Sequence, residues 1–236
     1  MRARVRRKSR SVTHTFEKEE PWPPAWTPNG VTEVLAPLAT EARRDRLRSV
    51  IDARVASVTV LMDAPHDPHN GGAVLRSCDA FGVQRLCVVP RVEPFAISTT
   101  VTRGSEKWVD VEIFRSPREA VSALVAEGYT LVATHPEGKL VAEDLSAITR
   151  LALVLGNERD GIREDLERAA EQTVRVPMRG FVESLNMSVS AAILLSAATR
   201  GRPGDLPARD RERLYARGLY RSLVHASEVL AASTPR

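Results

Sequence analysis

Short apolar runs alternate along this chain with segments whose apolar residues recur every three or four positions. The runs fall at residues 58–62, 85–89, 109–114, 129–134 and 151–155, and they are rich in Val, Leu and Ile. Runs with little polar alternation suit strands covered on both faces, as in a parallel sheet. Helical spacing appears at 72–80, at 117–127 with Pro117 in the first turn, and at 162–170, while 173–176 reads as a further strand. A long polar loop spans 92–106. The expected fold is therefore α/β, a parallel sheet with helices on both faces.

The richest stretch runs from Leu151 to Arg200, as strand, polar turn, helix, strand, polar turn, helix. Its last helix, about 185–200, is built of Ser, Ala and branched aliphatics nearly all round, which lets it approach neighbours closely in the interior or at a subunit contact. Ligands of open parallel sheets bind beyond the carboxyl ends of the strands, so Gly156 and residues 176–180 point at a site. Glu158, Ser184 and Asn186 could converge there. Equally, Ser184 and Asn186 read as helix caps and Glu158 as a solvated turn residue.

The flanks differ from this core. Residues 1–39 hold Arg-rich and then Glu-, Pro- and Trp-rich sequence, expected as an extended or disordered arm. Residues 40–57 carry an amphipathic helix with a basic outer face, 58–200 the α/β domain, and 201–236 a helical extension after the break at Pro203-Gly204.

Composition narrows the class. With 43% hydrophobic and 27% charged residues the chain reads as an ordinary globular protein, with no apolar run long enough for a membrane span, and its basic start, with no apolar stretch after it, is not expected to be a secretory leader. A cytoplasmic location is expected. Cys78 and Cys87 fit neither a disulfide framework nor a zinc signature, and read as buried free thiols. The net charge of +4 is unevenly spread: six of the first ten residues are Arg or Lys, and arginines crowd 43–54 and 200–221. Basic flanks around a nearly neutral middle suggest a polyanion, nucleic acid before membrane.

The usual nucleotide signatures are missing, since neither Gly-x-Gly-x-x-Gly nor a P-loop occurs, and Ser184 lacks a hydrolase elbow. His66 and His69 with Asp63 and Asp67 could be argued as metal ligands, but prolines in that loop favour turn and capping roles, so no metal is expected. Asn70 reads as an N-cap and Arg76 as a surface residue, unless both serve a site.

Three segments, taken in order, change that balance: Asn70-Gly71-Gly72-Ala73-Val74-Leu75-Arg76, Leu153-Val154-Leu155-Gly156-Asn157-Glu158, and Val176-Pro177-Met178 through Ser184-Leu185-Asn186-Met187-Ser188. Together they resemble the motifs of the knotted 2′-O-ribose RNA methyltransferases, the SpoU group of the SPOUT class, over about 58–200. Residues 40–44, 66–70 and 104–108, with the pair Arg200 and Arg202, resemble the branch acting on guanosine 18 in the tRNA D loop. The resemblance leaves out the first 35 or so residues. It implies a deep trefoil knot, a homodimer through the knot helices, and S-adenosylmethionine held by Thr134, Gly156, Val176, Met178 and Leu185. By position Arg76 is the catalytic residue, supported by Asn70, Glu158, Ser184 and Asn186, while Arg43, Arg54, Arg200 and Arg202 would grip RNA phosphates. Ribosomal RNA, the tRNA anticodon loop, or RNA binding without catalysis stand as alternative roles.

Overall fold

The computed structural model describes residues 20–91, 94–157 and 159–235. The elements are α1 (Pro28–Leu35), α2 (Glu41–Asp52), β1 (Val55–Asp63), α3 (Pro68–Ala80), β2 (Val83–Val89), α4 (Thr99–Thr102), β3 (Asp110–Ile113), α5 (Pro117–Ala126), β4 (Thr130–Thr134), β5 (Leu151–Leu155), α6 (Glu164–Ala169), β6 (Gln172–Val174), α7 (Met187–Thr199), α8 (Ala208–Ser222) and α9 (Ala226–Ala231). Six strands form one sheet in the order β3-β2-β1-β5-β4-β6, with every pairing parallel.

Successive strand residues point to opposite faces, and this divides the core in two. Val60, Met62, Leu86, Val88, Leu153 and Leu155 bury one face together with Val74 and Cys78 of α3 and Leu194 and Ala198 of α7. Leu61, Cys87, Val89, Leu131, Ala152 and Val154 bury the other against Leu124 of α5 and Leu166 of α6. Both faces are therefore covered, as the unbroken apolar runs require. Cys78 and Cys87 are free and buried, and burial first of all pushes their thiols up to about 12 and about 11.

The expected arm over 1–39 needs correcting from Glu20 onward. Trp22 and Trp26 are buried with Val31 and Leu35 of α1 against Ala216 and Leu219 of α8 and Leu230 of α9. Tryptophans expose too much apolar area to remain in water once an apolar helix face is available; residues 1–19 lie outside the described residues. The helical extension expected over 201–236 holds two helices, α8 and α9, separated at Leu223–His225. Two short helical turns, α4 and residues 105–107, interrupt the polar loop at 92–106.

This helical lobe is pinned to the sheet by an ion cluster. Arg213 and Arg217 of α8 both bind Glu20 and Asp110, the first residue of β3. Burial alone would raise the Asp110 carboxyl, but the hydrogen bonds and charges of Arg213 and Arg217 outweigh it and hold it at about 2, from 3.8. A depressed carboxylate stabilises the fold above its unfolded value and loses that contribution as pH falls toward the folded value. Asp110→Asn is expected to cost about 2 kcal/mol at pH 7, and urea unfolding at descending pH should show the difference shrinking between roughly pH 4 and pH 2.

Candidate active site

A cavity of about 460 Å³ opens where the carboxyl ends of β4, β5 and β6 meet the start of α7. It is lined by residues 134–136 after β4, 155–157 and 161–162 around the β5 turn, 174–176 and Met178 after β6, and 183–187 with Ser190 and Leu194 of α7. That size suits a nucleotide-like ligand. All five residues expected to hold the cofactor, Thr134, Gly156, Val176, Met178 and Leu185, are among its walls, as are Ser184 and Asn186.

The turn after β5 is closed by paired backbone hydrogen bonds, Asn157 N–H to the Gly161 carbonyl at 3.1 Å and Gly161 N–H back to Asn157 at 3.2 Å. The Asn157 side-chain oxygen accepts from the amides of Arg159 and Asp160, at 2.9 and 2.8 Å. Only glycine fits at 156, because a Cβ would come within 2.4 Å of the Gly161 carbonyl carbon. The turn is anchored beneath by fully buried Asp63, which accepts from the Arg163 amide at 2.7 Å and from its Nε at 2.6 Å. That bond consumes one of the side chains weighed as a metal ligand; Asp67 serves as the N-cap of α3 by accepting from the His69 amide at 2.8 Å.

Asn70 is thus not the N-cap of α3 but lies one turn inside it. Its side-chain oxygen accepts from Nδ2 of Asn186 at 3.0 Å, across 116 residues of sequence. Asn186 caps α7 with its other atom, Oδ1, which takes the Ser188 amide at 2.8 Å and the Ser188 hydroxyl at 2.6 Å. One amide therefore caps a helix, as expected, and also joins two motifs. Arg76 lies six residues further along α3, roughly 9 Å along the axis; it is exposed and outside the cavity lining. Glu158 falls outside the described residues.

A sequence model of the SpoU rRNA Methylase family matches residues 57–196. The chain belongs to this family. Within the SpoU rRNA Methylase family, the tRNA (guanosine(18)-2'-O)-methyltransferase of Thermus thermophilus is 35% identical over 164 residues, covering 69% of this chain and 84% of the relative. The enzyme of that name from Escherichia coli is 30% identical over 188 residues, covering 75% and 82%. Among solved structures, the A. aeolicus TrmH/SpoU tRNA modifying enzyme superposes with a TM-score of 0.69 at 28% identity, over 78% of this chain and 98% of that one. The SpoU methyltransferase AviRb from Streptomyces viridochromogenes, solved in complex with the cofactor AdoMet, gives 0.57 at 29% identity, over 66% and 63%.

Two of the four arginines expected to grip phosphates are engaged inside this member of the family. Arg54 is 4% exposed and ion-paired to Asp79; it sits in the turn between α2 and β1, where the chain dives into the core. Arg202 stands in a cage of carbonyls: Nε donates to Ala198 at 2.6 Å, and the terminal nitrogens to Thr149 at 2.9 Å, Leu145 at 3.2 Å and Ile148. Its planar fork, with five N–H groups, ties the end of α7 to the β4–β5 connection. Burial lowers its pKa. Arg43 and Arg200 are exposed. Residues that line the cavity without having stood out in the sequence include His135 and Pro136; their one advance signal was position just after an apolar strand.

Arg202→Ala is expected to lower unfolding free energy by about 2 kcal/mol, as several part-buried carbonyls lose their donor, and Arg202→Lys to recover little of it. Arg200→Ala should leave the urea midpoint nearly unchanged.

Proposed function

We propose that this chain transfers a methyl group from S-adenosylmethionine to the 2′-oxygen of a tRNA ribose, that of guanosine 18 in the D loop. The observation that carries the reading is the Asn70–Asn186 hydrogen bond at the mouth of the cavity, which joins the motif holding Arg76 to the motif holding Ser184. The names and identities of the Thermus and Escherichia relatives support the substrate.

The cavity fits such a donor. Leu155, Val176, Leu185 and Leu194 supply apolar walls, strand-end amides and carbonyls supply a polar edge, and the buried Nδ2 of Asn157 has no hydrogen-bond partner among the described residues. When bound there, S-adenosylmethionine supplies an electrophilic methyl on a sulfonium. The protein's task is then to position a weak nucleophile and stabilise the alkoxide it becomes. Asn70 and Asn186, fixed by each other, hold the ribose edge, with Ser184 beside them. A guanidinium stays protonated at ordinary pH, so Arg76 is no base; it orients the 2′-oxygen and stabilises its developing charge, and an RNA phosphate accepts the proton. Arg43 and Arg200 contact backbone phosphates.

The same reading takes the chain to be a trefoil knot and a homodimer. Packing of α7 against α3 and against the turn at 142–147 in the β4–β5 connection supports the first. Exposed Phe181 and Val182 before α7, with Val189 and Ile193 on it, support a second copy as their cover. The cytoplasm is where we place it, with its tRNA.

Purified protein with tRNA and S-adenosylmethionine should yield 2′-O-methylguanosine on mass spectrometry of nuclease digests, with the modified nucleotide mapping to the D loop. Arg76→Ala should cut turnover at least 100-fold, in the range for loss of a charge-stabilising donor, while cofactor affinity stays within about threefold. Methylation mapped to ribosomal RNA or to an anticodon loop would refute the substrate, and no methylated nucleoside in any RNA would refute catalysis.

A further inference from the structure

We infer that His135 binds the nucleoside half of the methyl donor by donating its Nε2–H to an acceptor there, an inference that rests on the function proposed above. His135 lines the cavity beside Thr134, Gly156 and Val176.

Its backbone is held firmly. His135 opens a tight turn in which the Gly138 amide donates to its carbonyl at 3.0 Å, and Pro136 takes the second position, where a fixed φ is favoured. Gly138 ends the turn because a Cβ would come within 2.4 Å of the Val174 carbonyl carbon. The turn is bound to β6 by the His135 amide, which donates to the Val174 carbonyl at 2.9 Å, and by Leu140, whose amide donates to Thr173 at 2.9 Å and whose carbonyl accepts from Arg175 at 2.9 Å. Val174 lies two residues before Val176, one of the apolar walls proposed to hold the cofactor.

The imidazole is oriented as well. Its Nδ1 accepts from the Glu137 amide at 3.0 Å, so the neutral ring carries its proton on Nε2. The ring is exposed at the cavity wall, and that N–H has no protein partner among the described residues. An adenosine offers ribose oxygens and ring nitrogens as acceptors. A donor fixed in this way fits that class, and the imidazole takes part in binding only.

The test is calorimetric titration of the full chain with two probes: S-adenosylhomocysteine, and 5′-methylthioadenosine, which lacks the amino-acid end. In His135→Asn the shorter side chain still offers an oxygen to the Glu137 amide, as in an Asx turn, but has no donor at the Nε2 position. Kd should rise about tenfold for both probes, the size of one lost hydrogen bond, with the melting temperature unchanged. An unchanged Kd in His135→Asn overturns the inference, and so does a rise confined to S-adenosylhomocysteine, which would put the contact at the amino-acid end. If His135→Asn lowers the melting temperature, His135→Gln decides: it keeps a terminal N–H donor, and recovery of affinity to within about threefold of the wild type upholds the contact, while no recovery refutes it. Failure of the wild-type chain to bind either probe would instead overturn the cofactor reading itself.

Discussion

Everything around the cavity depends on how closely α7 can lie against its neighbours. The helix packs against α3 and against the 142–147 turn, and Ala191, Ala197 and Ala198 are buried in the core they share. Larger side chains at these positions would push the helix away from the sheet. Its first turn would move with it, and that turn carries the Asn186 cap and the bond to Asn70. At its other end the Arg202 cage fixes the helix to the β4–β5 connection. A cavity whose walls come from three strand ends and a helix cap keeps its shape only if both helix ends are held.

The sheet was legible in the sequence because fully covered strands leave unbroken apolar runs, and Leu151–Leu155 is the clearest case. The wall of the cavity was legible for a related reason: residues just past such runs must turn at the carboxyl edge. Ends of elements were harder to read. Val55 continues the apolar spacing of α2 yet begins β1, because Arg54 beside it finds Asp79 and turns the chain inward. The lobe built from Trp22, Trp26 and α8 was invisible, since its two halves lie nearly two hundred residues apart and neither shows an apolar face large enough alone. Pairing across that distance leaves no local period to detect.

Charge misled in the same way. A run of arginines reads as one electrostatic feature, but the fold sorts its members individually. Arg213 and Arg217 neutralise Glu20 and Asp110, Arg202 serves carbonyls, Arg54 serves a half-buried acid, and Arg200 and Arg43 remain at the surface. Counting basic residues therefore overstates the footprint available to a polyanion. What separates the groups is whether an unpaired acid or a cluster of carbonyls lies within reach, a property of tertiary structure alone.

The ion cluster on Asp110 has one more consequence. β3 is one of the two outer strands of the sheet, and an outer strand offers unpaired backbone groups on which a foreign strand can grow. Here that strand is four residues long, bears Asp110 and Glu112, and has α8 fastened to its first residue. Glu20 and α8 thus meet at one edge where the sheet could otherwise extend, and their docking keeps that edge from becoming a template.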